Sequence, residues 1–354
     1  MQIVFRFLAR FVLAPFAALV LHGAACAAAL PERILFGEIG GTNVTNSGGR
    51  PLSTGVVALA QHLGFFEAEF GKDGPRIEQV FFVGTGPAQN EALAQGSIDF
   101  GTYGGVPNVI GLSNGIPAHI VAARRASGAG TFYLAVHAAA PYQGIKDLKG
   151  KRIAVQKGTN PYRSLIQLLE SNGLDEKDVV ITNLQGPEAL VAFNASAVDA
   201  IFDNSNLLIL RDQGKVRVLS DTRSLTHDNS QFGVLVSDRF ERAYPDVVAR
   251  VVKVLLQTSH WASEEKNREE LLKFVAERSI AYKYVAEDYS GSLKTRFNPV
   301  IDESSIAAYD DLVKFAVKYR LIRKGVDEKT IRSWFKPEYQ QTALKELGLE
   351  NYWD

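Results

Sequence analysis

The chain has 354 residues, 39 basic and 39 acidic side chains, 46% hydrophobic residues and a single cysteine. Its charges balance and are spread along the chain, which excludes the basic face that nucleic-acid binding requires. One cysteine excludes an internal disulfide framework and a cysteine metal site, and the length points to two hydrophobic cores rather than one.

In chain order, Met1 to Arg10 carry Arg6 and Arg10 and no acidic residue, the run Phe11 to Leu21 is apolar, and small residues follow. This is the pattern of a secretory signal peptide over residues 1–29. The apolar run is about half the ~20 residues that a membrane-spanning helix needs. Ala27-Ala28-Ala29 fits the small-x-small cleavage rule, which starts the mature chain near Leu30 and leaves 37 basic against 39 acidic residues. The expected location is the periplasm. Lipidation of Cys26 is the alternative, opposed by Gly23 standing where lipoprotein signals usually carry Leu.

Beyond residue 30, short β-rich runs alternate with amphipathic helical ones. Strands are expected at Ile34 to Gly37, Arg76 to Val83, Ile98 to Gly101 and His119 to Ala122. Helices are expected at Thr54 to Phe66, where Val56, Val57, Ala60, Leu63 and Phe66 share one face, at Pro87 to Ala94 and at Val106 to Ser113. The rhythm then restarts. Thr131 to Val136, Arg152 to Val155, Val179 to Thr182, Ala200 to Phe202 and Val216 to Ser220 read as strands, with helices at Pro161 to Ser171, ended by Asn172-Gly173, and at Pro187 to Phe193. From about Asp238 the chain reads as mainly helical. Strands separated by single helices imply parallel pairing through right-handed crossovers.

Two βα blocks joined by extended stretches near Arg124 to Gly130 and Ser220 to Ser230 imply two α/β lobes. Residues 30–124 and 221–354 form the first and residues 125–220 are inserted as the second; no internal sequence repeat is visible. Ligands of such sheets sit beyond the carboxyl ends of the strands. Five small-residue loops lie there: Gly40-Gly41-Thr42-Asn43, Gly84-Thr85-Gly86, Thr102-Tyr103-Gly104-Gly105, Lys157-Gly158-Thr159-Asn160 and Asp203-Asn204-Ser205-Asn206. Such loops let backbone N–H groups at helix N-termini approach a ligand and favour negative charge.

The stretch Gly84-Thr85-Gly86-Pro87 leading into Glu91-Ala92-Leu93-Ala94-Gln95-Gly96-Ser97-Ile98-Asp99-Phe100-Gly101 resembles the periplasmic aliphatic sulfonate, taurine and nitrate binding proteins of ABC transporters. Leu63-Gly64-Phe65-Phe66, the stretch from Ile145 to Val155 and Gly158-Thr159 agree, and the match covers most of residues 34 to 220. The resemblance implies the type II periplasmic binding fold, each lobe a mainly parallel sheet flanked by helices, with a helical C-terminal region. It also implies capture of a small anionic ligand, sulfonate above all, and partners in an ABC permease and ATPase. Nitrate, carboxylates, thiamine precursors and a receptor-docking sensor are the alternatives, and an enzyme on the same fold is the weaker one.

Within this reading Thr85 and Gly86 donate to one anionic oxygen and Thr159 and Asn160 to another from the opposite lobe. Gly41, Thr42, Asn43, Tyr103, Gly104 and Asn204 line the cavity, Tyr162 stacks on an organic tail, and Asp203 either faces the cleft or caps the helix that follows. Arg124, Arg125 and Arg163 are candidate charge partners or surface residues. No cofactor, metal or catalytic residue is expected: the desulfinases of this fold depend on a cysteine that the mature chain lacks, the six histidines show no metal-ligand spacing, and no GxSxG elbow is present. The expected state is a monomer.

Overall fold

The computed structural model describes residues 30–39, 45, 49, 51–82, 85–124, 130–225 and 231–354, the side chain of Arg124 excepted. The first block contains β1 (Arg33–Ile39), α1 (Val56–His62), α2 (Phe65–Phe70), β2 (Arg76–Phe82), α3 (Thr85–Ala94), β3 (Phe100–Gly104), α4 (Gly105–Ser113) and β4 (Ala118–Arg124). The single helix expected over Thr54 to Phe66 is two, because Gly64 between them stands at φ +72°, a conformation open to glycine and costly for other residues.

The second block contains β5 (Tyr133–His137), β6 (Arg152–Ala154), α5 (Asn160–Ser171), β7 (Val180–Thr182), α6 (Gly186–Asn194), β8 (Ala200–Asp203), α7 (Asn206–Asp212) and β9 (Val216–Asp221). The chain then returns through β10 (Phe232–Ser237), and only helices follow: α8 (Asp238–Ala243), α9 (Pro245–Ser263), α10 (Arg268–Ala276), α11 (Tyr282–Asp288), α12 (Leu293–Arg296), α13 (Glu303–Lys318), α14 (Glu328–Ser333) and α15 (Pro337–Leu347). None among the described residues is long and apolar enough to cross a membrane.

The strands form two five-stranded sheets, ordered β2-β1-β3-β10-β4 and β7-β6-β8-β5-β9. In each, the fourth strand is antiparallel to both neighbours. The other four strands of each sheet run parallel to one another, which agrees with the mainly parallel sheets expected from the sequence. β10 and β5 are the strands that enter a sheet directly from the other block, without the crossover helix that parallel pairing demands.

Alternating side chains bury both faces of the first sheet. Ile34, Phe36, Phe100, Val234 and Val236 face α9, whose Val248, Val251, Val252 and Leu255 form one helical stripe. The rings of Phe36 and Phe100 stack with centroids 4.9 Å apart. Ile98, Ile120 and Leu235 point the other way, onto α3, α4 and Tyr309 and Leu312 of α13.

The helical tail also packs on the second block. Tyr284 of α11 joins the cluster of Ile201, Leu207 and Leu208, Arg211 grips Glu287 through two bonds of 2.7 and 2.9 Å, and Phe315 of α13 and Tyr319 just beyond it meet the ring of Tyr162.

Candidate ligand-binding site

The β3–α4 corner of the first sheet and the β6–α5 corner of the second meet at Asn160. Its Oδ1 accepts from the Val106 N–H at 3.0 Å, and its Nδ2 donates to the Gln231 carbonyl at 2.8 Å. The same carbonyl accepts from the Gly105 N–H. The N-terminus of α4 is thus capped by a side chain from the other sheet, which satisfies a donor that every helix leaves open. Gly104 makes this possible: a Cβ there would stand 2.7 Å from the Asn160 side chain.

Thr85 and Gln156 make a second contact between the sheets, with Thr85 Oγ1 donating to Gln156 Oε1 at 3.2 Å. Thr85 opens α3 at φ +56°, a true outlier for a β-branched residue. Such strain persists only where the surroundings over-determine it, and it concentrates at functional sites. Facing it, Thr159 caps α5 by accepting from the Tyr162 N–H at 3.5 Å and donates to the Gln156 carbonyl at 2.6 Å.

At the end of β8, Asp203 Oδ1 accepts from the Asn204 N–H at 2.8 Å, and Asn204 Oδ1 accepts from the Asn206 N–H at 2.9 Å. The start of α7 is held by Asn204, so a capping role for Asp203 is corrected. Burial pushes the Asp203 carboxyl above the ordinary aspartate range, partly offset by the Asn204 amide.

Several proposed roles shift with these positions. Tyr103 is fully buried, its hydroxyl donating to Asn90 Oδ1 at 2.6 Å, which corrects it from cavity lining to core. Gly86 packs so closely on Pro107 that a Cβ would clash at 2.4 Å, so its small size serves the α3–α4 contact. Tyr162 is buried against Phe315 and Tyr319 and donates to Glu176 Oε1 at 2.7 Å; a role stacking on a ligand tail is corrected to packing. Arg163 is also buried, its guanidinium 5.9 Å from the Phe315 ring. Gly41, Thr42 and Asn43 lie outside the described residues, as does Arg125.

Gln156 and the Gln231 carbonyl were not singled out by sequence. Gln156 lies two residues beyond the end of β6 and one residue before the small-residue loop, and a backbone carbonyl has no sequence signal. The donors facing one another across the sheets are neutral hydroxyls, amides and helix N-termini, a set that suits an anion. Among the described residues, metal-ligating side chains converge at His119, Asp238 and Glu241, at the start of β4 and away from these corners.

The NMT1/THI5-like family model matches residues 53–269. The chain belongs to that family. A Bacillus subtilis (strain 168) protein named "Putative aliphatic sulfonates-binding protein" is 29% identical over 282 residues, 79% of this chain and 82% of its own length. The crystal structure of a "putative sulfonate ABC transporter, periplasmic sulfonate-binding protein SsuA" from Methylobacillus flagellatus KT superposes with a TM-score of 0.74 at 28% identity, covering 91% of this chain and 96% of that one. The desulfurization enzyme DSZB shares the fold, with a TM-score of 0.66 at 17% identity over 90% of this chain and 100% of its own. This NMT1/THI5-like chain therefore has the two-lobed fold of periplasmic binding proteins, with mixed sheets flanked by helices.

Proposed function

We propose that the chain is an exported, monomeric solute-binding protein that captures a small anionic organic ligand of the sulfonate class and delivers it to an ABC permease and ATPase. Its lobes are residues 30–124 with 221–354, and residues 125–220. Residues 1–29 direct it to the periplasm. The observation that carries the reading is the opposition of Thr85, strained at φ +56°, to Gln156 and the capped end of α5 across the two sheets. Thr85 and Thr159 hold the anion, and Asn204 borders it. The sulfonate-binding names of the relatives support the ligand class. Binding without turnover is the role: Cys26 is the chain's single cysteine, it lies in the segment proposed to be removed, and no thiolate nucleophile then remains.

Asp203 favours a second reading. A raised carboxyl at the end of β8 suits a ligand with a cationic or hydrogen-bond-donating end, as in a thiamine precursor.

Thermal unfolding with alkanesulfonates, nitrate, carboxylates and thiamine precursors tests both. A ligand at 100-fold its dissociation constant stabilises by about 2.7 kcal/mol. A shift with sulfonates that Thr85→Ala and Thr159→Ala abolish is expected. Silence with every sulfonate would overturn the first reading, and a shift with the precursors alone would establish the second.

A further inference from the structure

His119, Asp238 and Glu241 converge at the opposite end of the first sheet from the ligand corners. Backbone register brings them together: in the β4–β10 ladder Val236 pairs with His119 and Ser237 with Ala118, so the chain turns into α8 beside the start of β4. The Asp238 N–H donates to the Pro117 carbonyl at 2.9 Å, fixing that turn. Asp238 and Glu241, three residues apart, project from one face of α8. Asp238 Oδ1 and Glu241 Oε2 each lie 3.1 Å from the same atom, His119 Nδ1, and the three ligand atoms fall within 4.8 Å of one another.

One ring nitrogen carries at most one proton and so serves one acceptor. Glu241 Oε2 is its hydrogen-bond partner, while Asp238 Oδ1 is buried and has no hydrogen bond of its own. Three potential ligands thus crowd a space that one proton does not satisfy. The two separations from Nδ1, 3.1 Å each, come close to those around a cation, since bonds of about 2.0–2.1 Å in a tetrahedron place ligand atoms about 3.3 Å apart. The outer oxygens are held as second partners hold ligating carboxylates. Glu241 Oε1 accepts from the Tyr339 hydroxyl at 3.1 Å and faces Lys336 Nζ at 3.8 Å; Asp238 Oδ2 faces Arg242 Nη1 at 3.5 Å. Lys336 and Tyr339 arrive on a segment bonded along β4, with the Ile120 N–H donating to the Trp334 carbonyl at 2.7 Å and the Lys336 N–H to the Ile120 carbonyl at 2.9 Å.

We propose that His119 Nδ1, Asp238 and Glu241 form a site for a divalent transition cation of the zinc class, with water completing the coordination. One imidazole and two carboxylates suit that class. Bound there, the cation ties β4, α8 and the segment leading into α15 to one point.

The test is titration of the chelator-treated, purified chain with zinc chloride by calorimetry, and with cobalt(II), whose visible absorption reports tetrahedral coordination. One equivalent bound, lost in His119→Gln, Asp238→Asn and Glu241→Gln variants that keep the wild-type circular dichroism, is the expected result. Absence of zinc binding by the wild type overturns the proposal and leaves an imidazole clasped by two carboxylates. Unchanged stoichiometry in His119→Gln overturns it too. If that variant does not fold, unchanged binding in both Asp238→Asn and Glu241→Gln does the same.

Discussion

Asp99 and Asp199 occupy the same position in the two sheets. Asp99 Oδ2 accepts from the Leu35 N–H at 3.0 Å and Asp199 Oδ2 from the Arg152 N–H at 2.8 Å; each aspartate returns its own N–H to the carbonyl of the residue it serves, at 2.9 and 2.8 Å. Each follows a left-handed turn, with φ +68° at Gly96 and +57° at Ser196. The surroundings differ. Burial pushes the Asp99 carboxyl up despite Leu35 and Arg239, whereas the Arg152 guanidinium holds the Asp199 carboxyl below the usual range.

Asp99→Ala leaves the Leu35 N–H without its side-chain acceptor inside the first sheet, and a loss of about 2 kcal/mol is expected. Asp199 stands nearer solvent, where water replaces the lost bond, so Asp199→Ala is expected to cost less. Urea unfolding of both variants against the wild type checks the order.

Asn160→Ala removes the cap of α4 and both bonds to the opposite lobe. The expected cost is about 1–2 kcal/mol, together with a larger radius of gyration by small-angle scattering. Asn160→Asp keeps the acceptor for Val106 but sets a carboxylate against the Gln231 carbonyl, and it is expected to open the lobes as well.

Arg296 and Asp288 are each only 11% exposed and pair at 3.2 Å, while Asp288 Oδ1 also accepts from the Thr131 N–H at 2.7 Å. Arg296→Met strands a buried carboxylate at the entry to the second lobe. A loss of about 3 kcal/mol in chemical denaturation is expected.

Asp203 titrates higher in the folded chain than unfolded, because burial disfavours its charge. Its stabilising contribution is therefore complete below the unfolded aspartate value of about 3.9 and is lost as pH rises through the raised folded value. Asp203→Asn is expected to melt above the wild type at neutral pH and to lose that advantage near pH ~4. It is also expected to bind anions more tightly, which calorimetry reads directly.

Much of the fold was legible because local signals agreed with it. Thr159 and Pro161 open α5 where cap chemistry places them, and Asn172-Gly173 end it. β10 was missed: Phe232–Ser237 lies beside a stretch read as a connection, and its place between β3 and β4 depends on partners far away in sequence. The Asp99 and Asp199 pair escaped notice for a related reason. Gln95-Gly96-Ser97-Ile98-Asp99 and Ala195-Ser196-Ala197-Val198-Asp199 share a backbone course and little else. At the site, Thr85, Thr159 and Asn160 came from loop chemistry, but position in a loop does not say which way a side chain turns, and Tyr103 and Tyr162 turn into the core. His119 could not be joined to Asp238 and Glu241 by spacing, since strand register alone makes them neighbours.

The insertion of β10 between β3 and β4 also sets an order of events as the polypeptide is made. Strands β5 to β9 are continuous in sequence and can close their sheet as soon as they emerge. The first sheet cannot: β1 to β4 are all synthesised before the strand that fills its gap, and that strand appears only after the whole inserted lobe. Until then β3 and β4 present open edges toward each other. A chain made in this order completes the sheet of its inserted block before its first sheet, and the first sheet closes only when β10 arrives.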